Sequence, residues 1–164
     1  MGIYLKWAGA GVILLCALMV GRDYTAYVRE RLSQYRGFVA LLSHIEGMIS
    51  RFLTPQDGLW HSFSDDALEK CGFLPALRSG KGLSEAFIGC VDGLSLSDLT
   101  KQRLSDFFSG FGRDYMDGEI ARVGELRSEL ESGLKKEESE LEKSLKITNA
   151  LLLAGAVGLV ILII

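Results

Sequence analysis

The chain has 164 residues, 48% of them apolar and 24% charged, with a formal net charge of −3. That length suits one domain, and a mildly acidic chain lacks the basic face that nucleic-acid binding needs. Its three cysteines, Cys16, Cys71 and Cys90, have no CxxC spacing, which argues against a disulfide framework and for reduced thiols in a cytosolic setting.

Charge is segregated along the chain. Every acidic residue lies between Asp23 and Glu142, and every basic residue except Lys6 lies between Arg22 and Lys146. Residues 1–21 therefore read as an N-terminal transmembrane segment, apolar from Trp7 to Gly21. Lys6 can snorkel to the interface there, beside Tyr4 and Trp7 as aromatic anchors. A cleaved signal peptide is the competing reading, but no small-x-small cleavage site precedes Arg22.

Arg22 to Phe52 reads as one long helix. Tyr24, Val28, Leu32, Tyr35, Val39, Leu42, Ile45 and Ile49 recur at three- and four-residue spacing and form one apolar stripe. Thr54-Pro55 is an N-cap followed by proline at the first helical position, opening a short helix to Ser62. Ser64, Asp65 and Asp66 open another, ending near Cys71-Gly72. A glycine-rich break follows at Ser79-Gly80-Lys81-Gly82, and a helix restarts at Ser84-Glu85-Ala86-Phe87 and stops at Gly93. Ser95 or Ser97 caps the next helix, which carries Leu99, Leu104, Phe107, Phe108 and Phe111 and ends at Gly112.

The last helix is the longest. Ile120, Val123, Leu126, Leu130, Leu134, Leu141 and Leu145 repeat near 3.6 residues, with Glu and Lys on the other faces. No glycine or proline separates Lys135 from Ala150, so the helix is expected to continue into the membrane. Ala150 to Ile164 contains no polar residue. Residues 147–164 give about 27 Å of helix at roughly 1.5 Å per residue, close to the ~30 Å of a hydrocarbon core. No run of alternating apolar residues predicts a strand. The fold class expected is all-α: a cytoplasmic helical bundle of about six helices over residues 22–146, flanked by N- and C-terminal transmembrane helices.

Basic residues flank the spans on one side only, at Arg22, Arg29, Arg31 and Arg36 and at Lys135, Lys136, Lys143 and Lys146. The positive-inside rule therefore puts residues 22–146 in the cytoplasm. Ala17 with Gly21, and Ala154 with Gly158, have the four-residue spacing of small-residue helix packing within a membrane.

The chain offers little for catalysis. Ser79-Gly80-Lys81-Gly82 has Pro75 where a phosphate loop needs its first glycine and Gly82 where it needs Ser or Thr. His44 and His61 have no Cys or carboxylate at metal-ligand spacing. Adjacent Asp65 and Asp66 point apart on a helix and suit capping. There is no GxSxG motif. The expectation is a non-enzymatic chain with no cofactor, no metal and no small-molecule substrate. The aromatic group Phe107, Phe108, Phe111 and Tyr115 is either bundle core or, through Phe108, Phe111 and Tyr115, a partner-docking surface.

Several local patterns occur in a recognisable order. They are Leu42, Glu46 and Ile49 followed by Thr54-Pro55; Gly82 followed by Glu85-Ala86; and Phe111-Gly112 followed by Asp114. With an apolar span at each end, this layout resembles the stage III sporulation protein AB family. Glu119 stands where that family often has Gln, and Phe87 where it often has Trp. The resemblance implies a relative of the F-type platform protein of type II secretion, in the mother-cell membrane around the forespore. It also implies a scaffold role in a secretion-like complex linking the two cells. Its partners would be a cytoplasmic secretion-type ATPase and other membrane subunits. The alternative function is a membrane-tethered interaction protein of pilus or secretion assembly outside sporulation.

Overall fold

The computed structural model describes residues 2–52, 62–113 and 115–163. The helix expected from Pro55 to Ser62 falls on residues outside these ranges, save Ser62, which lies in a turn. Among the described residues there are six α-helices, one 3₁₀ turn and no strand. In chain order they are α1 (Gly2–Phe52), α2 (Asp66–Lys70), α3 (Phe73–Arg78), α4 (Leu83–Cys90), the 3₁₀ turn Val91–Gly93, α5 (Asp98–Gly110) and α6 (Met116–Ile163). The chain divides into two compact units, Met1–Arg29 with Glu137–Ile164, and Glu30–Lys136.

Local chemistry explains the short helices. Asp65 is the N-cap of α2, accepting the Ala67 and Leu68 N–H groups at 3.0 Å each. Gly72, at φ +85°, reverses the chain between α2 and α3. The sequence reading left residues 73–78 unassigned, and the structure makes them a helix. Pro75 sits in its first turn, where a backbone N–H has no partner to lose. Helix α3 ends in a Schellman motif: Gly80, at φ +89°, donates to Leu77 O at 3.0 Å and Lys81 donates to Ala76 O at 3.2 Å. Ser97, rather than Ser95, caps α5 by accepting from Thr100 N at 3.3 Å.

The core of the Glu30–Lys136 unit is built around four phenylalanines from four helices: Phe38 of α1, Phe73 of α3, Phe87 of α4 and Phe108 of α5. All of their ring centroids lie 5.3–6.3 Å from one another. Leu41, Leu42, Ile45, Leu74, Leu104, Val123 and Leu130 close around them. The buried face of α1 is wider than the single stripe read from the sequence. Phe38 and Leu41 are fully buried, whereas Tyr24 is half exposed and Val39 and Ile49 are only partly covered. The reason is that α1 is packed on two sides. Phe38 meets α3, α4 and α5, while Glu46 pairs with Arg127 of α6 at 2.9 Å and Tyr35 lies beside Gly133 of α6. Those last two contacts make this part of α1 antiparallel to α6.

Polar groups pin the same helix. Gln34, almost fully buried, accepts Ser95 N–H at 2.7 Å, and Tyr35 Oη is 2.8 Å from Thr100 Oγ1. Gly37 lies where α1 meets the cap of α2: a Cβ there would come within 2.7 Å of Asp65 Oδ1 and 3.0 Å of Leu68 Cγ. Gly37→Ala is therefore expected to lower stability by roughly 1–3 kcal/mol. Thermal loss of the helical circular dichroism signal measures it, and an unchanged melting temperature would show that Asp65 can move aside at no cost.

Helix α6 runs unbroken to Ile163, as the absence of glycine and proline between Lys135 and Ala150 predicted. Helix α1 likewise joins the apolar N-terminal segment to the bundle without a break. In the unit made by the chain ends, Leu15 and Met19 of α1 and Ile147 and Leu151 of α6 are each 60–67% exposed. Among the described residues, no helix is long and apolar enough to cross a membrane.

Candidate functional site

An open cleft lies at the α5–α6 junction. Arg103, Asp106 and Phe107 recur at three- and four-residue spacing on α5, so they share one face. Arg122, Glu125, Leu126 and Glu129 do the same on α6. Between the two faces lies an open cleft of about 200 Å³. Its floor is apolar, made by Phe107 and Leu126, each only 6% exposed.

The rim is charged and partly fixed in place. Arg122 lies over the Phe107 ring at 5.8 Å, a cation–π arrangement. Its Nη1 also donates to Gly110 O and to Glu119 Oε1, both at 3.3 Å. A Cβ at Gly110 would sit 2.7 Å from Arg122 Nη2, so a larger residue there would displace the guanidinium. Glu119 is 5% exposed, and the same Oε1 accepts Gly112 N–H at 3.1 Å, closing the turn between the helices. Gly112 takes φ +81° in that turn. Arg103 Nε pairs with Glu129 Oε1 at 3.5 Å across the cleft mouth, an exposed contact of small worth. Asp106 and Glu125 remain exposed on the rim and carry no ion pair among the described residues. Two rim carboxylates without an ion pair can accept hydrogen bonds from an incoming basic side chain.

The structure separates the sequence-predicted docking residues. Phe108 is 3% exposed and belongs to the aromatic core, so it presents no face to a partner. Its direction on α5, about 100° from Phe107, points between α1, α3 and α4 and not toward solvent. Phe111 is half-buried, its ring 5.5 Å from Phe107, and Tyr115 is 92% exposed just before α6. Those two flank the α5–α6 turn beside the cleft. Ala154 and Gly158 are exposed on α6, and a Cβ on Gly158 would meet nothing within 4 Å. The side chains at Ala17 and Gly21 lie outside the described residues.

Other candidates resolve into structure. His44 is half-buried, its ring tilted against Phe63 at 5.4 Å, with Nε2 3.2 Å from Ser62 Oγ. His61 lies outside the described residues. Ser79 to Gly82 is the helix-ending turn of α3, and Asp65 is a cap. Among the described residues no group of His, Cys, Asp and Glu could hold a metal ion. The sequence reading missed the cleft. Its signal was available in the two charged-apolar sets at helical spacing, but only the fold brings them together.

The chain matches no curated protein and no solved structure. The family model described as stage III sporulation protein AB matches residues 6–164, essentially the whole chain.

Proposed function

Because the chain belongs to the stage III sporulation protein AB family, we propose that it serves sporulation as a non-enzymatic platform subunit of a secretion-like complex joining mother cell and forespore. In this reading both chain ends are held in the mother-cell membrane around the forespore, with residues 22–146 in the cytoplasm. The bundle docks a cytoplasmic secretion-type ATPase through the α5–α6 cleft, and other membrane subunits meet the terminal helices.

The observation that carries the reading is the division of polarity between the two units. Leu15, Met19, Ile147 and Leu151 are exposed at the ends, where residues 1–21 carry only Lys6 and residues 150–164 carry no polar side chain. Such a surface is costly in water and costs nothing in lipid. The charged cleft lies wholly in the Glu30–Lys136 unit. A scaffold that passes position or force between a soluble motor and a membrane needs both surfaces on one chain.

Topology reporters test the reading. A reporter that is active only in the cytoplasm, inserted at the exposed Gly80-Lys81 turn, is expected to be active. The same reporter after Ile164 is expected to be silent. The reverse pattern would remove the bundle from the compartment of the ATPase and end the proposal.

A further inference from the structure

The two arginines that line the α5–α6 cleft are held in different ways. Arg122 is fixed: its guanidinium donates to Gly110 O and Glu119 Oε1 and lies over the Phe107 ring. Arg103 is tethered at one point. Its ion pair among the described residues is with Glu129, Nε to Oε1 at 3.5 Å, and its side chain is 59% exposed against 35% for Arg122. A pair of that length between two exposed side chains is weak and is readily exchanged for another partner.

The register of the helices places the other charges around this pair. Arg103 meets Glu129 while Gly110 meets Arg122, so α5 and α6 run antiparallel across the cleft. Asp106 stands one turn along α5 from Arg103, and Glu125 one turn back along α6 from Glu129. Three carboxylates therefore line the cleft, and the one at its mouth is taken by the arginine that can leave.

We propose that Arg103 is a built-in competitor for the cleft: it occupies Glu129 in the free chain, and a basic side chain of the docked protein displaces it and takes Glu129 together with Asp106 and Glu125. This inference rests on the cleft being the docking site. The occupant is cationic because three acceptors and no free donor remain once Arg103 swings out, whereas Arg122 cannot follow without giving up Gly110 O and Glu119. One ion pair is exchanged for another and no covalent bond changes. Arg103 thereby sets how basic a partner must be, since a weakly charged surface does not displace it.

The sign of the effect is the test, because removing a residue that touches the partner weakens binding and removing a competitor strengthens it. With the full-length chain in detergent, Arg103→Gln is expected to tighten capture of the ATPase roughly threefold at low salt, and by less as salt rises. Its melting temperature should not change. Lys70→Gln removes the same charge from an exposed position on α2 outside the cleft and should bind as the unaltered chain does. In a Glu129→Gln background the gain from Arg103→Gln should shrink, because the contested carboxylate is gone. Unchanged or weaker capture by Arg103→Gln, an equal gain from Lys70→Gln, or an undiminished gain in the Glu129→Gln background would each overturn the inference. If any of these occurred while Asp106→Lys with Glu125→Lys lost capture, the cleft would remain the docking site and the competitor role alone would fall. Full capture by that double variant would remove both.

Discussion

Replacing Phe38 by alanine is expected to cost about 3–5 kcal/mol, most of the stability margin of a bundle this size. Phe38 is fully buried and its ring touches those of Phe73, Phe87 and Phe108. Truncation removes the transfer free energy of the ring and leaves a void bounded by three rigid aromatic side chains. Rings drawn from three separate helices cannot close that void without moving those helices. Three aromatic contacts, each worth about 0.5–1.5 kcal/mol beyond area, are lost with it. A melting temperature lower by on the order of 15–30 °C follows for about a hundred residues. Phe38→Leu, which keeps an apolar group in the site, should lose less. If Phe38→Ala melted within a few degrees of the unaltered chain, the four-ring core would be wrong.

The second large effect is on partner binding. Asp106→Lys combined with Glu125→Lys is expected to weaken ATPase capture roughly a hundredfold, about 3 kcal/mol, by setting like charge against a basic partner group. Both residues are exposed and carry no ion pair among the described residues. The double variant should therefore fold and melt like the unaltered chain, which separates docking from stability. Binding by the unaltered chain should fall as salt rises, and the variant should lose that dependence. Asp92→Lys, exposed on the 3₁₀ turn and outside the cleft, serves as the control and should bind normally. Capture of the ATPase at full strength by the double variant would show that the cleft is not the docking site.

Much of the helical plan was legible in the sequence, because caps and periodicity are local. Asp65, Ser97 and Gly112 sit where capping chemistry placed helix ends. The Leu126 and Leu130 positions face the core as their spacing required. What was missed depends on more than one helix. Pro75 concealed α3, since a proline reads as a break unless its place in the first turn is known. Phe38 and Leu41 fell off the stripe because one helix wheel cannot reveal neighbours on two sides. Gln34 looks like a surface residue until Ser95 N–H is brought to it. Phe108 was open between bundle core and docking surface, and the fold buries that ring in the core and opens a cleft one position away, at Phe107. Charge on α5 and α6 was visible, but pairing Arg103 with Glu129 and leaving Asp106 and Glu125 unpaired is a property of the packed helices alone.

The four-ring core also fixes an order of events during synthesis. Phe38 and Phe108 are separated by 70 positions, so at about 5–20 residues per second a ribosome needs roughly 4–14 s to deliver the last ring after the first. Phe73 and Phe87 are delivered within that interval, so α1 meets its companion helices one after another and the core stays open until α5 arrives. Until that last ring arrives, apolar side chains of α1 that the finished core covers remain open to solvent.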